Sequence, residues 1–192
     1  MSKLASESVT VSLSGDAADE LLGGYNRYLL ASNLWRKISF LPFGLRLIFS
    51  KLITSVKPST YNFLFKKLSF GIFKQQNIGD KIHKAMSILP SSNYMELYDR
   101  IISCWFNPSS IVIGTIDFDS LQETSPKEVS KFDPISKMMA MDLITYLPDD
   151  ILCKVDRAAM ATSLETRVPF LDHSVMQFAW SLPLNYKIFG NK

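Results

Sequence analysis

Three acidic residues follow a Ser-Gly pair in the segment 14–20, which reads S-G-D-A-A-D-E. If a helix begins at Asp16, then Asp16, Asp19 and Glu20 stand at i, i+3 and i+4, and their carboxylates share one helix face. One interpretation is that these acidic residues only stabilise the dipole of the helix, as acids in a first helical turn commonly do. Three carboxylates on one face also repel one another, and Mg²⁺ bound to one or two of them together with substrate phosphates would relieve that repulsion. The spacing leaves both interpretations open.

The neighbouring residues indicate which elements would position these acids. Apolar and hydroxyl residues alternate over Val9–Leu13, which predicts a short strand. Ser14 and Gly15 end this strand, and Gly23 and Gly24 end the helix that follows. A strand, a tight turn and a helix start present free backbone N–H groups at one place, which suits an anionic ligand.

Two long motifs resemble the asparagine synthetase (glutamine-hydrolysing) family. The first begins at Ser14, reads S-G-D-x-x-D-E-L-x-G-G-Y-N-R-Y, and is similar to the family's second nucleotide-contacting motif. The second begins at Tyr146 with Y-L-P-D-D-I-L-C-K-V-D-R-A-A-M-A and ends at Asp172 with S-L-E-T-R-V-P-F-L-D. The motifs occur in the family's order, and the resemblance spans essentially the whole chain.

The resemblance implies an activity and roles for four residues of the first motif. The family's synthetase domain uses ATP to convert a carboxylate, such as that of aspartate, to an acyl-adenylate with release of pyrophosphate, and ammonia then forms the amide. By resemblance, Ser14 and Gly15 would contact the AMP portion. Asp16 would be the acid/base or orienting group, and Asp19 would hold Mg²⁺ on the pyrophosphate.

The second motif supplies a weaker pair of candidates. By resemblance, Asp150 and Lys154 would lie near the aspartate substrate or the phosphates. They also stand at i and i+4 of a predicted helix, where an acid and a base form an ordinary ion pair, and we favour that structural interpretation. Arg167 and Asp172 are interpreted as framework residues, one in an ion pair and one as a helix cap.

The sequence also departs from the family pattern. The family pattern is usually S-G-D-G-x-D-E, with glycine directly after the first acid. Here Ala17 and Ala18 occupy the two positions between the first and the second acid. If that glycine is needed for a positive φ, Ala17 strains the turn by about 1 kcal/mol. The 192 residues contain no S-G-G-x-D-S pyrophosphate loop, no exposed N-terminal nucleophilic cysteine and no R-x-K segment with the catalytic lysine. We therefore expect one partial synthetase domain over residues 1–192 that is inactive by itself.

We expect a mainly α fold, namely a helical fragment of the α/β adenine-nucleotide-hydrolase-like (Rossmann-like) synthetase domain with one short N-terminal strand. Met1–Ser8 is expected to be a short polar lead into the strand, and Ile111–Ile116 to be strand-like or a buried extended loop. Asp117–Phe132 is expected to be weakly ordered, and the phenylalanines of Pro58–Gly79 to be core. Apolar periodicity predicts helices over Asn26–Val56 with a break at Pro42, over Lys81–Leu89 with Asp80 as cap, and over Tyr94–Trp105. It also predicts a helix over Pro134–Tyr146 with Met138 and Met139 facing inward, and one that Asp149 or Asp150 caps and that runs to about Thr162. Glu165–Phe170 is expected to be extended, and the helix after Asp172 to have Val175, Phe178, Ala179 and Leu182 on its apolar face.

Composition restricts the partners. A net charge of +3 is too small to indicate nucleic acid. Cys104 and Cys153 are interpreted as buried free thiols of a reducing cytosol, and the first residues contain no apolar h-region of a signal peptide. We expect a cytoplasmic protein that binds small molecules. Spanning a membrane with Ile38–Val56 is costly because Pro42, Arg46 and Lys51 lie within it, although attachment of that segment to a membrane surface is a weaker alternative.

A rival function is a non-catalytic helical module that folds and binds another molecule. Ala17 and Ala18 favour this rival, while Asp16, Asp19 and Asp150 favour descent from an enzyme. An unpaired edge of Val9–Leu13 and exposed apolar faces would in either case favour a homodimer.

Overall fold

Short helices make up most of the described chain. The computed structural model describes residues 1–68, 77–103, 111–114 and 126–188, with only the backbone of residues 67, 68 and 128. Contacts divide the chain into two units, Met1–Leu30 with Ser125–Lys192, and Ala31–Thr124. The mainly helical prediction is confirmed. The Rossmann-like assignment stays a prediction.

The described helices and strands follow one another closely along the chain. In chain order they are α1 (Ser2–Ser6), β1 (Val11–Leu13), α2 (Ala18–Leu22), α3 (Asn26–Ile38), α4 (Phe43–Thr54), α5 (Pro58–Leu68), α6 (Ile78–Ile88), α7 (Tyr94–Ile102), a 3₁₀ helix (Lys127–Lys131), α8 (Pro134–Ile144), a π-helix (Leu147–Leu152), α9 (Cys153–Met160), β2 (Glu165–Arg167), a second 3₁₀ helix (Pro169–Leu171), α10 (His173–Ser181) and α11 (Leu184–Lys187).

The two strands form a parallel pair in the first unit. Val11 is paired with Glu165 and Leu13 with Arg167. The Ser14 N–H extends the ladder by donating to the Arg167 carbonyl at 2.8 Å. The expectation of one short strand was therefore wrong, since another part of the chain supplies a strand that pairs with it. The partner comes from the later segment that was predicted only to be extended.

The core of the first unit lies between α2 and α8. Leu21, Met138 and Met139 are fully buried, as the periodicity predicted for the two methionines. Gly23 ends α2 with a φ of 75°, and a methyl group on it would lie 2.9 Å from the Ile188 Cδ1 atom. This glycine is therefore required for its backbone conformation and for the close contact.

The second unit is organised around α6, which packs against α4, α5 and α7. Arg46 is buried, donates to the Ser91 carbonyl at 2.6 Å, and lies over the Trp35 ring at 5.6 Å. Gly79 permits α6 to approach α5, because a methyl group there would overlap the Pro58 carbonyl oxygen.

Several local predictions about helices are confirmed. Pro42 separates α3 from α4, and Asp172 caps α10 through the Ser174 N–H at 2.9 Å.

Other predictions about the helix ends were wrong. Asp80 is not a cap, because α6 begins at Ile78, directly after the left-handed residue Asn77. The short polar lead Met1–Ser8 contains α1. Helix α7 ends at Ile102 rather than at Trp105.

Three predictions about burial were wrong where the structure tests them. Phe63 and Phe65, expected in the core, are 67% and 40% exposed. Phe178 of α10 is 65% exposed, although Ala179 of the same predicted apolar face is buried. Residues 111–114 form an exposed turn rather than a strand or a buried loop. Phe70, Phe73, residues 104–110 and 115–125, which include Cys104 and most of the Asp117–Phe132 segment, lie outside the described residues.

Two further observations concern membrane crossing and the cysteine of the described residues. No helix in the described residues combines the length and the apolar character needed to cross a membrane. Cys153 is a free thiol, as predicted, although it is half-buried rather than buried.

Candidate functional site

The turn of residues 14–17 stands where the two parallel strands end. Ligands of open α/β sheets bind outside the carboxyl ends of the strands, and this turn continues directly from Leu13 while its first N–H is bonded to Arg167. An open depression of about 550 Å³, lined by Ser6–Val11, lies at the other end of β1 and does not include the turn. The turn is therefore the candidate site.

Side chains within the turn determine its shape. The Ser14 hydroxyl donates to the Asp16 carboxylate, and the Asp16 N–H lies 3.4 Å from the Ser14 Oγ atom. Ala17 follows in the left-handed region with a φ of 68°, so α2 begins at Ala18. The expectation of a helix from Asp16 was therefore wrong, because a left-handed residue cannot continue a right-handed helix. The positive φ considered for the family's glycine is found at Ala17.

The turn presents backbone donors that the protein does not use. Among the described residues, no acceptor is bonded to the N–H groups of Gly15 and Ala17. No atom lies within 4 Å of the position that a Gly15 Cβ atom would occupy, so this side of the turn is open. Consecutive N–H groups in a turn with a left-handed residue can bind an anion.

The three acids do not share a face. Asp19 is exposed, and its carboxylate lies against Gly24, where a methyl group would overlap the Asp19 Oδ1 atom. Glu20 is 1% exposed and accepts a hydrogen bond from the Tyr25 hydroxyl at 2.8 Å. Burial, together with the hydrogen bond to Glu20 and its charge, holds the pKa of the Tyr25 phenol well above its usual range. Glu20 is therefore part of the packing, while Asp19 is available to solvent.

The fit of Mg²⁺ to this site rests on Asp19. The described residues contain no cluster of three or more metal-ligating side chains. Mg²⁺ does not require one, because it is commonly held by one or two carboxylates together with substrate phosphates. An exposed Asp19, two residues after the unused N–H group of Ala17 in the sequence, fits that mode of binding.

Asp150 and Lys154 form the ion pair that was favoured from their spacing. The Lys154 Nζ atom lies 2.9 Å from the Asp150 Oδ2 atom, with both side chains largely exposed, and the hydrogen bond to Asp150 raises the pKa of Lys154. Within the described part of the chain, no hydrogen bond or ion pair joins this pair to the turn of residues 14–17. Asp150 does not cap a helix as expected, since it lies inside the π-helix.

The framework roles of Arg167 and Asp172 are confirmed. The Arg167 Nε atom lies 2.7 Å from the Glu165 Oε1 atom, and Asp172 is the N-cap of α10. The ion pair of Arg167 lies within β2, whereas Asp172 acts on the helix that follows it.

Sequence reasoning missed a group of side chains around Arg27. Its guanidinium lies over the Tyr25 ring at 4.1 Å and the Tyr146 ring at 4.5 Å. The Asp142 Oδ2 atom, in a carboxylate that is 1% exposed, lies 2.6 Å from the Arg27 Nη2 atom and 2.7 Å from the Tyr28 hydroxyl. The signal was available, because a carboxylate flanked by buried methionines in α8 needs a charged or hydrogen-bonding partner.

A family model now places the chain among known proteins. The model described as asparagine synthase matches residues 1–192. The chain belongs to the asparagine synthase family. The resemblance inferred from the two motifs is thereby confirmed, and the turn at Ser14 and the π-helix lie within the matched region.

Curated relatives agree with this family. The chain is 29% identical over 183 residues to asparagine synthetase (glutamine-hydrolyzing) 1 of Bacillus subtilis (strain 168), covering 95% of this chain and 26% of that protein. It is 33% identical over 192 residues to a putative asparagine synthetase (glutamine-hydrolyzing) of Mycobacterium bovis, with 96% and 26% covered. The same identity and coverage are found for the protein of that name in Mycobacterium tuberculosis.

The extent of these matches restricts what they show. The chain spans 26% of the length of these relatives. No solved structure matched the chain significantly.

Proposed function

We propose that this chain contributes part of the nucleotide and carboxylate site of an ATP-dependent, glutamine-dependent amidotransferase of the asparagine synthetase type. In this reaction ATP activates the carboxylate of aspartate, or of a related acid, as an acyl-adenylate. Ammonia released from glutamine then attacks the acyl carbon, so that a C–N bond forms and AMP leaves.

The observation that carries this proposal is the open turn after β1. Its unused Gly15 and Ala17 N–H groups provide donors for phosphate oxygens in a family whose relatives are named asparagine synthetases. Ser14 and Gly15 would contact the AMP portion of the nucleotide. Backbone donors suit this task because they favour negative charge without needing a flexible cationic side chain.

Asp16 is the candidate acid/base or orienting group. Its carboxylate is half-buried and already accepts from the Ser14 hydroxyl, which fixes its direction within the turn. The ammonia nitrogen must lose a proton as it attacks the acyl carbon, and a positioned carboxylate can accept that proton.

Asp19 would hold Mg²⁺, which supplies charge stabilisation to the leaving pyrophosphate when it is bound.

The weaker assignment concerns Asp150 and Lys154, which would lie near the substrate carboxylate or the phosphates. Their exposed ion pair leaves Lys154 able to exchange Asp150 for an anionic ligand.

Calorimetric titration with Mg-ATP and Mg-pyrophosphate tests the proposal. We expect millimolar or tighter binding by the chain, and weaker binding by Ser14→Ala, which removes the hydroxyl from the turn. Ser130→Ala is the matched control, because Ser130 is exposed and bonds only within its own 3₁₀ turn. Equal binding by both variants, or no binding by the wild-type chain at millimolar ligand, would count against the site.

The rival function, a non-catalytic helical module, is favoured by one observation. Ala17 holds a left-handed conformation that disfavours a residue with a side chain, at the position where the family usually has glycine. Because the 192 residues contain neither the pyrophosphate loop nor the lysine segment, we propose that this polypeptide by itself binds ligand without forming the amide. Release of pyrophosphate that depends on ATP and aspartate would overturn that proposal.

Three proposals about location and assembly accompany this function. The free thiol of Cys153 supports a cytoplasmic location. A homodimer would use the remaining strand edge or the exposed apolar side chains of α4, among them Ile48 and Leu52, and a monomeric profile in light scattering would contradict it. The weaker alternative, attachment of α4 to a membrane surface, is tested by co-sedimentation with anionic liposomes.

A further inference from the structure

The Arg27 cluster, consisting of Tyr25, Arg27, Tyr28, Asp142 and Tyr146, joins segments that are distant in sequence. Arg27 and Asp142 are 115 residues apart. The guanidinium lies over both the Tyr25 ring and the Tyr146 ring, whose centroids are 6.1 Å apart in an edge-to-face arrangement. A planar cation is thus held by two rings and one carboxylate.

Each end of this cluster leads to a segment of the candidate site. On one side, the Tyr25 hydroxyl is bonded to Glu20, which directly follows Asp19 in α2. On the other side, Tyr146 immediately precedes the π-helix that contains Asp150. The Arg27 guanidinium therefore contacts one ring whose hydroxyl is bonded to α2 and one ring that adjoins the π-helix.

We propose that Arg27, through its ion pair with Asp142 and its contacts with the rings of Tyr25 and Tyr146, is a positioning residue that holds α2 and the preceding turn of residues 14–17 in register with the π-helix of residues 147–152. This inference rests on the proposed function, because it assigns Arg27 a role in aligning the two segments of that site. The role is geometric, since Arg27 acts through α2 and Tyr146 rather than through contact with the ligand.

Arginine is suited to this role in a way that lysine is not. Its planar guanidinium stacks on ring faces and presents several donors in fixed directions, whereas a lysine ammonium is a compact point charge. An Arg27→Lys variant keeps the positive charge for Asp142 and loses the planar contact with the two rings. It therefore separates alignment from charge compensation.

Arg46→Lys is a matched control in the second unit. Arg46 is also largely buried and lies over two aromatic rings, and it donates to backbone carbonyls rather than to any segment of the candidate site. Substitution of Arg46 by lysine therefore perturbs the packing of a guanidinium on aromatic rings and leaves the proposed alignment of the turn with the π-helix unchanged.

The experiment combines ligand binding with amide hydrogen exchange, on the 192-residue chain at a temperature where all variants are folded. We expect Arg27→Lys to weaken the binding of Mg-pyrophosphate by about tenfold or more, the usual effect of losing a residue that orients a ligand-binding group. We also expect faster exchange in residues 14–20 and 147–153 together. For Arg46→Lys we expect unchanged affinity, with faster exchange confined to residues 78–103.

The outcomes separate the two proposals. Equal losses of affinity in both variants, or faster exchange near only one of the two segments in Arg27→Lys, would overturn the positioning role. If the wild-type chain binds no Mg-pyrophosphate, the proposed function fails. The alignment of the two segments is then decided by the exchange pattern alone, and unchanged exchange in Arg27→Lys rejects it.

Discussion

The Tyr25 hydroxyl donates a hydrogen bond to the buried carboxylate of Glu20, with 2.8 Å between the two oxygens. Burial and this bond hold the pKa of the Tyr25 phenol above its usual range. Because the pKa is higher in the folded chain, this group stabilises the fold fully below about pH 10, the value of an unfolded tyrosine, and less as the pH rises further.

We therefore predict that Tyr25→Phe destabilises the chain at pH 7 and that the difference from wild type narrows above about pH 10. At neutral pH the loss should be about 1–3 kcal/mol, because a buried carboxylate oxygen is left without its donor. Urea unfolding at both pH values measures the difference. Tyr186→Phe, at an exposed position, should follow wild type throughout, and a deficit for Tyr25→Phe that does not vary with pH would contradict this explanation.

Gly24 leaves room for the Asp19 carboxylate, and this gives a second prediction. In Gly24→Ala the new methyl group would overlap the Asp19 Oδ1 atom, so the flexible carboxylate must turn away. We expect binding of Mg-pyrophosphate to weaken several-fold with little change in thermal unfolding. Gly44→Ala is the control, because a methyl group on Gly44 meets no atom. It should bind as wild type does.

The left-handed residue Ala17 gives a third prediction, on stability. Ala17→Gly removes a conformational strain of about 1–2 kcal/mol and loses one buried methyl group, worth about 0.8 kcal/mol. The free energy of unfolding should therefore rise by about 0.5–1 kcal/mol.

Ala18→Gly is the control for this substitution, because Ala18 lies in α2. A glycine in a helix should lower the free energy of unfolding by up to about 1 kcal/mol. Chemical denaturation of the two variants therefore gives shifts of opposite sign. Destabilisation of similar size in both would show that the φ of Ala17 carries no strain.

Lys154 provides a test between a structural and a ligand-binding role. Its ion pair with Asp150 is exposed, and exposed pairs add little to stability. We predict that Lys154→Met leaves thermal unfolding near wild type and weakens the binding of Mg-pyrophosphate, because the proposed function places Lys154 near the substrate carboxylate or the phosphates. Arg167→Met removes another exposed ion pair and is the control. Unchanged pyrophosphate binding in Lys154→Met would instead restrict Lys154 to the structural ion pair.

Features encoded by adjacent residues were predictable from the sequence. The cap at Asp172 and the helix break at Pro42 depend on local hydrogen bonding and on a fixed φ, so the residue types alone indicate them. The turn at Ser14 was also located correctly. Its interior was not, because the prediction assumed that the helix begins at Asp16, whereas Ala17 is left-handed. That single dihedral angle moves the start of α2 to Ala18 and leaves Asp16 outside the helix.

Features that depend on distant residues could not be read from local patterns. The strand Glu165–Arg167 has only three residues, two of them charged, so no alternation indicates it, and its conformation is fixed by pairing with β1. The contact of Arg27 with Asp142 joins helices 115 residues apart. The predicted apolar face of α10 contains both Phe178 and Ala179, yet of these two only Ala179 is buried.

The pairing of Val11 with Glu165 has a consequence for the protein during its synthesis. At a translation rate of about 5–20 residues per second, the nascent first strand waits on the order of ten seconds for the second to leave the ribosome. The helices of residues 31–124 emerge during that interval and can fold first. Until then the Ser14 turn has no ladder bond to Arg167, and a ribosome stalled before residue 165 would carry a chain with folded helices and an unformed site.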